Sequence, residues 1–124
     1  MRELTSHKVN GLNEALTIGV HDEPGSGGAC HEYRISYDDS QSDTPCEPCS
    51  INFQNGPIQE FGVNGISNEA LLAIVEDRLR GFQSGEYACR ENEVALYKIQ
   101  EAMMWLQKRT RDRVARGVEG MSKK

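Results

Sequence analysis

From Ser67 onward the apolar residues recur at helical spacing. Leu71, Val75, Leu79 and Phe82 fall four, four and three residues apart, which gathers them on one face of a helix. Ser67 or Asn68 can cap that helix, Glu69 in its first turn suits the positive end of the helix dipole, and Gly85 is a suitable terminator. After Glu86-Tyr87-Ala88 a second helix is expected to begin near Cys89 or Arg90, because Leu96, Ile99, Met103 and Leu106 recur at three, four and three. Glu91 and Glu93 stand at its start and arginines at its end, near Arg116, the order the dipole favours. So short a connection makes the two helices antiparallel.

The first half has a different period. Leu16-Thr17-Ile18-Gly19-Val20 alternates with period two, as a strand with one buried face does. Asp22-Glu23-Pro24-Gly25-Ser26-Gly27-Gly28 breaks it. Beyond the break His31, Tyr33, Ile35 and Tyr37 share one face and Glu32, Arg34 and Ser36 the other, so a second strand is expected, paired with the first. Asp38 to Ser50 is acidic and Ser-rich and reads as a loop. Ile51-Asn52-Phe53-Gln54 and Ile58-Gln59-Glu60-Phe61-Gly62-Val63 flank Asn55-Gly56, a dipeptide that tolerates the positive φ of a tight hairpin turn. The chain therefore predicts an α+β fold in one domain, residues 1–124. An antiparallel sheet of about four short strands in meander order spans 12–66, a helical hairpin 67–116 and a tail 117–124.

At 124 residues and 37% apolar content the core available to one copy is limited, which favours self-association. Trp105, Leu106 and the Met103-Met104 pair give the second helix more apolar circumference than a two-helix hairpin needs, in line with packing against another chain. The start of the chain has no apolar run of the kind a leader requires, and no stretch reaches the roughly 20 apolar residues of a membrane span. A cytoplasmic location is expected, with Cys30, Cys46, Cys49 and Cys89 not forming stable disulfides.

The net charge of −5 hides an asymmetry: residues 1–66 carry three Lys/Arg against ten Asp/Glu, whereas 67–124 carry eleven against nine. An acidic protein with one compact basic segment does not fit a general DNA binder, whose basic footprint dominates the domain. It suits a small anionic ligand better.

Cys46-Glu47-Pro48-Cys49 could place two thiolates on a zinc ion, but a structural site needs two more ligands and a second spaced pair is lacking. Loop packing is the reading, with a small zinc protein as the alternative that metal analysis would test. His7, His21 and His31 have no nucleophile beside them, and Gly25-Ser26-Gly27-Gly28 lacks the Lys-Ser/Thr ending of a phosphate loop. No catalytic set, metal or cofactor is assigned. Arg109, Arg113 and Arg116 lie at i, i+4 and i+7, along one face of the second helix's last turns. Taken alone they form a solvated helix end; brought together by symmetry, such guanidinium groups can chelate phosphates. Phe82 at the bend either closes the core or stacks on a nucleobase, and Asn92 offers both donor and acceptor.

The run Gly81-Phe82-Gln83-Ser84-Gly85-Glu86-Tyr87-Ala88-Cys89-Arg90-Glu91-Asn92-Glu93, followed by Ala95-Leu96 and by Ala102-Met103-Met104-Trp105-Leu106-Gln107-Lys108-Arg109-Thr110-Arg111-Asp112-Arg113, resembles the hairpin shared by two phage counter-defence families. These are Thoeris anti-defence protein one and anti-CBASS protein two; the preceding strands are similar to the first. The resemblance covers about the last 50 residues and, over the sheet, the architecture. It implies a non-catalytic sponge that sequesters the glyco-cyclic ADP-ribose signals of TIR enzymes without cleaving them, inside the infected bacterial host. It also implies a hexamer built as three dimers that can hold cyclic trinucleotides at a separate site. On matching positions it implies that Phe82 and Asn92 line the ADP-ribose pocket, with Phe82 stacked on the base. Arg109 and Arg113 become candidates for phosphates, Arg113 at the trinucleotide site, with Arg90 and Thr110 as further ligand contacts. Sequestration calls for enclosure, stacking and paired phosphates rather than a general base. The competing reading is a structural or regulatory module that only oligomerises.

Overall fold

A computed structural model describes residues 1–37 and 49–121 of the chain. These residues form two compact units: the first takes Met1 to Gly56 and Val63–Ile66, the second Pro57–Gly62 and the residues from Ser67 onward.

The first unit is a four-stranded antiparallel sheet in sequential order, β1 (Arg2–Leu4), β2 (Leu16–Val20), β3 (Glu32–Tyr37) and β4 (Cys49–Asn52), with a short helix α1 (Gly11–Ala15) before β2. The register opposes Ile18 to Ile35, Val20 to Tyr33 and Tyr33 to Ile51, so the expected apolar face is the real one. Val20 is its centre, 2% exposed. The Tyr33 and Phe53 rings meet edge to face at 5.6 Å, a favoured aromatic arrangement.

The Gly-rich break after β2 is tied down by one carboxylate. Asp22 accepts the amide N–H groups of His31 (2.8 Å) and Glu32 (3.1 Å), and its Oδ2 lies 3.8 Å from Nδ1 of the buried His31 ring. Burial pushes the Asp22 carboxyl up, but the amides of Glu32 and His31 and the nearby His31 ring outweigh this and hold it below its ordinary value.

The sheet departs from expectation at both ends. The edge strand β1 was not expected: Arg2–Leu4 is too short and too charged to show alternation. The strand expected over Ile58–Val63 is a helical turn, α2 (Ile58–Phe61). Pro57, at φ −66°, forms its N-cap, where the missing N–H costs nothing, and Gly62, at φ 69°, ends it. β4 also begins earlier than expected, at Cys49, inside the stretch read as loop; Cys46 lies outside the described residues. Asn10 caps α1 through a 3.1 Å bond from the Asn13 amide, a helix that period-two reasoning passed over.

The second unit is the hairpin. α3 (Asn68–Gln83) starts at the Ser67 cap, whose hydroxyl accepts the Ala70 amide at 3.1 Å, and α4 (Arg90–Ala115) follows after six residues. On α4 the sequestered positions Asn92, Leu96, Ile99, Met103, Leu106, Thr110 and Arg113 are alternately four and three apart, the coiled-coil period, with Gln100 beside them. On α3 they are Glu69, Leu71, Leu72, Glu76, Leu79 and Gln83. The α3 seam keeps Leu71 and Leu79 of the expected stripe, whereas Val75 and Phe82 are 42% and 43% exposed. No helix of the described residues is long and apolar enough to cross a membrane.

α4 ends in a reversal. Gly117, at φ 72°, donates to the Val114 carbonyl and Val118 to that of Arg113, both at 3.0 Å, the paired bonds of a Schellman cap. The residues that follow turn back: the Gln59 amide bonds to the Gly120 carbonyl (3.1 Å) and its side chain to that of Glu119 (3.0 Å).

Candidate functional site

The bend between the helices is built by Gln83. Its carboxamide accepts the Cys89 amide and donates to the Cys89 carbonyl, both at 3.1 Å, and so bridges the end of α3 to the cap of α4. Ser84 adds a 2.7 Å bond to the Gly81 carbonyl. These contacts fix the last turn of α3, which carries Phe82, against the first turn of α4, which carries Arg90 and Asn92. The Phe82 ring is 43% exposed, and the Arg78 guanidinium lies over it, 5.6 Å from the centroid. Arg90 is exposed, and Asn92 is half-buried on the seam. A half-open ring with a cation on it and an amide nearby can stack a base and hold its polar edge. Arg78 escaped sequence reasoning; its i, i+4 spacing from Phe82 was the available signal.

The other candidate positions lie at the far end of α4. Trp105, Lys108, Arg109, Asp112, Arg113, Ala115 and Arg116 line an open cleft of about 810 Å³. Trp105 is 59% exposed and shares a helical face with Arg109, Asp112 and Arg116, at spacings of four, three and four. Lys108 pairs with Asp112 at 2.8 Å; this hydrogen bond, its charge, and Arg116 and Arg111 hold the Asp112 carboxyl below its ordinary value. Arg109 is exposed and has no carboxylate partner among the described residues. Arg116 is likewise exposed on the cleft lining.

Two of the expected ligand positions are already engaged. Thr110 is half-buried and its hydroxyl donates to the Leu106 carbonyl at 3.2 Å. Arg113 is buried, its Nε donating to Glu119 at 3.1 Å and its Nη2 to the carbonyls of Val118 and Met121 at 2.8 and 2.9 Å. It reaches the cleft wall from the seam, with the returning tail around it. The helix places Arg113 apart from Arg109 and Arg116 in burial as well as in partners, a distinction that i, i+4, i+7 spacing did not reveal.

The two groups do not meet within one chain. Asn92 and Arg113 are 21 residues apart on α4, roughly 30 Å at 1.5 Å per residue. A single copy therefore carries two separate groups of these residues, one aromatic and one basic.

Residues 47–111, just over half of the chain, match the family described as Acb2/Tad1, hairpin domain. The chain is also similar to Thoeris anti-defense 1 of Bacillus phage SBSphiJ7, with 53% identity over 75 residues. That stretch is 60% of this chain and 53% of the relative, so the match spans about half the relative's length. The family match encloses Phe82, Arg90, Asn92, Arg109 and Thr110 and stops short of Arg113.

Proposed function

Because this chain belongs to the Acb2/Tad1 hairpin-domain family, we propose that it is a phage anti-defence protein that blocks Thoeris immunity by sequestering glyco-cyclic ADP-ribose signals in the cytoplasm of the infected host. It binds them without cleavage. Phe82 stacks on the base, Arg90 and Asn92 hold polar groups of the ligand, and Arg78 backs the ring. At the other end of α4, Arg109, with Arg113 and Thr110, serves cyclic trinucleotides and extends the activity to CBASS. The observation that carries this reading is the exposed Phe82 ring under Arg78, beside the first turn of α4. A ring left 43% exposed keeps surface for a planar partner.

Assembly belongs to the same reading. Val20 is the one fully buried apolar side chain among the described residues, while Ile74, Tyr97, Met104, Trp105 and Val114 stand 52–60% exposed. Covering such surfaces favours a homodimer and, through it, a hexamer of three dimers. The same surfaces favour the second reading, an oligomerisation module with no nucleotide ligand. Calorimetry with glyco-cyclic ADP-ribose separates the two: strong heat, with the ligand recovered intact after heat denaturation, supports the sponge. An oligomer by light scattering with no heat of binding supports the module, and a cleaved product makes the protein an enzyme.

A further inference from the structure

We propose that Glu119 sets the affinity and selectivity of the basic cleft by standing in for a phosphate on Arg113. The proposal rests on the reading of Arg109 and Arg113 as phosphate contacts. Arg113 is the one charged side chain of the hairpin unit that the described structure buries, at 8% side-chain exposure. Two of the groups that hold its guanidinium differ in character. Nη2 donates to two neutral acceptors, the Val118 and Met121 carbonyls, which belong to the turn after the helix. Nε donates to a full negative charge, Glu119 Oε2, at 3.1 Å.

The two sides differ in how readily they can be exchanged. The carbonyls are fixed by the backbone reversal at Gly117 and by the Met121 amide bond to the Val118 carbonyl at 3.1 Å. Glu119 is anchored through its main chain, which accepts from the Gln59 side chain, but its carboxylate is on a rotatable side chain 41% open to solvent. The carboxylate can therefore swing away while the turn stays in place. Carboxylate and phosphate oxygens make the same charge-assisted bond to a guanidinium edge, so an anion reaching Arg113 from the cleft meets a resident competitor.

Selectivity follows from counting contacts. An anion with one phosphate gains at Arg113 only what it takes from Glu119, so the exchange is close to balanced. A ligand with several phosphates reaches Arg109 and Arg116 on the cleft face in the same event and outcompetes the carboxylate. Glu119 thus discriminates against the abundant simple phosphates of a cell in favour of polyanionic ligands.

The test compares the full chain with Glu119→Gln, which keeps the side chain's shape and removes its charge. Inorganic pyrophosphate is titrated at constant ionic strength while the Nε–H resonances of Arg113 and Arg109 are followed by NMR. The expected result is that Arg113 Nε–H responds in both proteins and that Glu119→Gln binds pyrophosphate about two- to fivefold tighter, the scale of a partly exposed ion pair. Equal affinity in the two proteins, or an Arg113 signal that stays still while that of Arg109 moves, overturns the proposal. A cyclic trinucleotide titration is run beside it. If the trinucleotide binds neither protein while the pyrophosphate pattern holds, the role of Glu119 stands and the nucleotide reading of the cleft falls.

Discussion

The Arg78 guanidinium lies over the Phe82 ring, one helical turn away on α3, at 5.6 Å from its centroid. The pair gives the hairpin bend a flat aromatic surface with a fixed positive charge. Replacing Phe82 with Ala removes a stacking surface worth about 1–3 kcal/mol per base, so affinity for glyco-cyclic ADP-ribose should fall roughly tenfold to a hundredfold. Arg78→Ala should cost less, about 0.5–1 kcal/mol, because the cation acts on an exposed ring. Both variants should keep the parent's circular dichroism and melting profile. Unchanged calorimetric affinity in Phe82→Ala sinks the assignment of the bend.

A side chain on Gly65 would run into the backbone of the segment beside it. A Cβ there meets the Phe53 carbonyl carbon and comes within 2.6 Å of Asn52 O and Gln54 N, where Ile66 exchanges backbone bonds with Asn52 and Gln54 at 2.8 and 2.9 Å. Gly65→Ala should lower stability by about 1–3 kcal/mol, as overpacking does. Gly85→Ala should change it by less than about 1 kcal/mol, since nothing lies within 4 Å of its Cβ position. Urea denaturation of the two variants checks the contrast, and equal midpoints contradict it.

These cases show what the chain discloses before it folds. The helices were legible because their caps and acidic first turns agree with their apolar period: Ser67 caps α3 and Cys89 precedes α4, as spacing predicted. The strands over Leu16–Val20 and Glu32–Tyr37 were legible for the same reason, one alternating face each. Arg2–Leu4 has no such face, and its pairing with β2 is decided by the backbone ladder. Ile58–Phe61 has β-forming residues, yet Pro57 and Gly62 bound it as a helical turn. At the candidate site, residue type left Phe82 open between core and base contact, and the roles of Phe82, Asn92 and Arg109 came from the family resemblance. The burial of Arg113 depends on a chain reversal several residues later, which no local period encodes.

Acid should loosen the sheet unit through Asp22. Its carboxyl is held below the ordinary value chiefly by the amides of Glu32 and His31, against the opposing effect of burial. A group whose folded value is depressed contributes fully above its unfolded value and loses that contribution as pH falls through the folded one. The loss should therefore develop below about pH 4. Asp22→Asn should melt at a lower temperature than the parent at neutral pH, and the gap should narrow as pH is lowered from about 5 to about 3. Parallel melting curves across that range would show that the Asp22 bonds do not report on protonation.

The roughly 30 Å along α4 between the bend and the basic cleft makes the two places separable by mutation. Arg109 is exposed and carries no carboxylate of its own among the described residues, so Arg109→Ala should leave the fold and glyco-cyclic ADP-ribose affinity untouched. Its cost should fall on cyclic trinucleotides: loss of a hydrogen bond to a charged group, about 1.5–3 kcal/mol, is a drop of roughly tenfold or more. Raised salt should weaken trinucleotide binding in the parent more than in the variant, because one screened attraction is already gone. Phe82→Ala should show the reverse selectivity, and the double variant should show each loss unchanged on its own ligand, since sites this far apart with no shared partner act independently. The measurement is a two-ligand calorimetric matrix over the four proteins. If Arg109→Ala weakens both ligands alike, the two ends of the helix serve one site shared across the assembly, and the division of labour between bend and cleft is wrong.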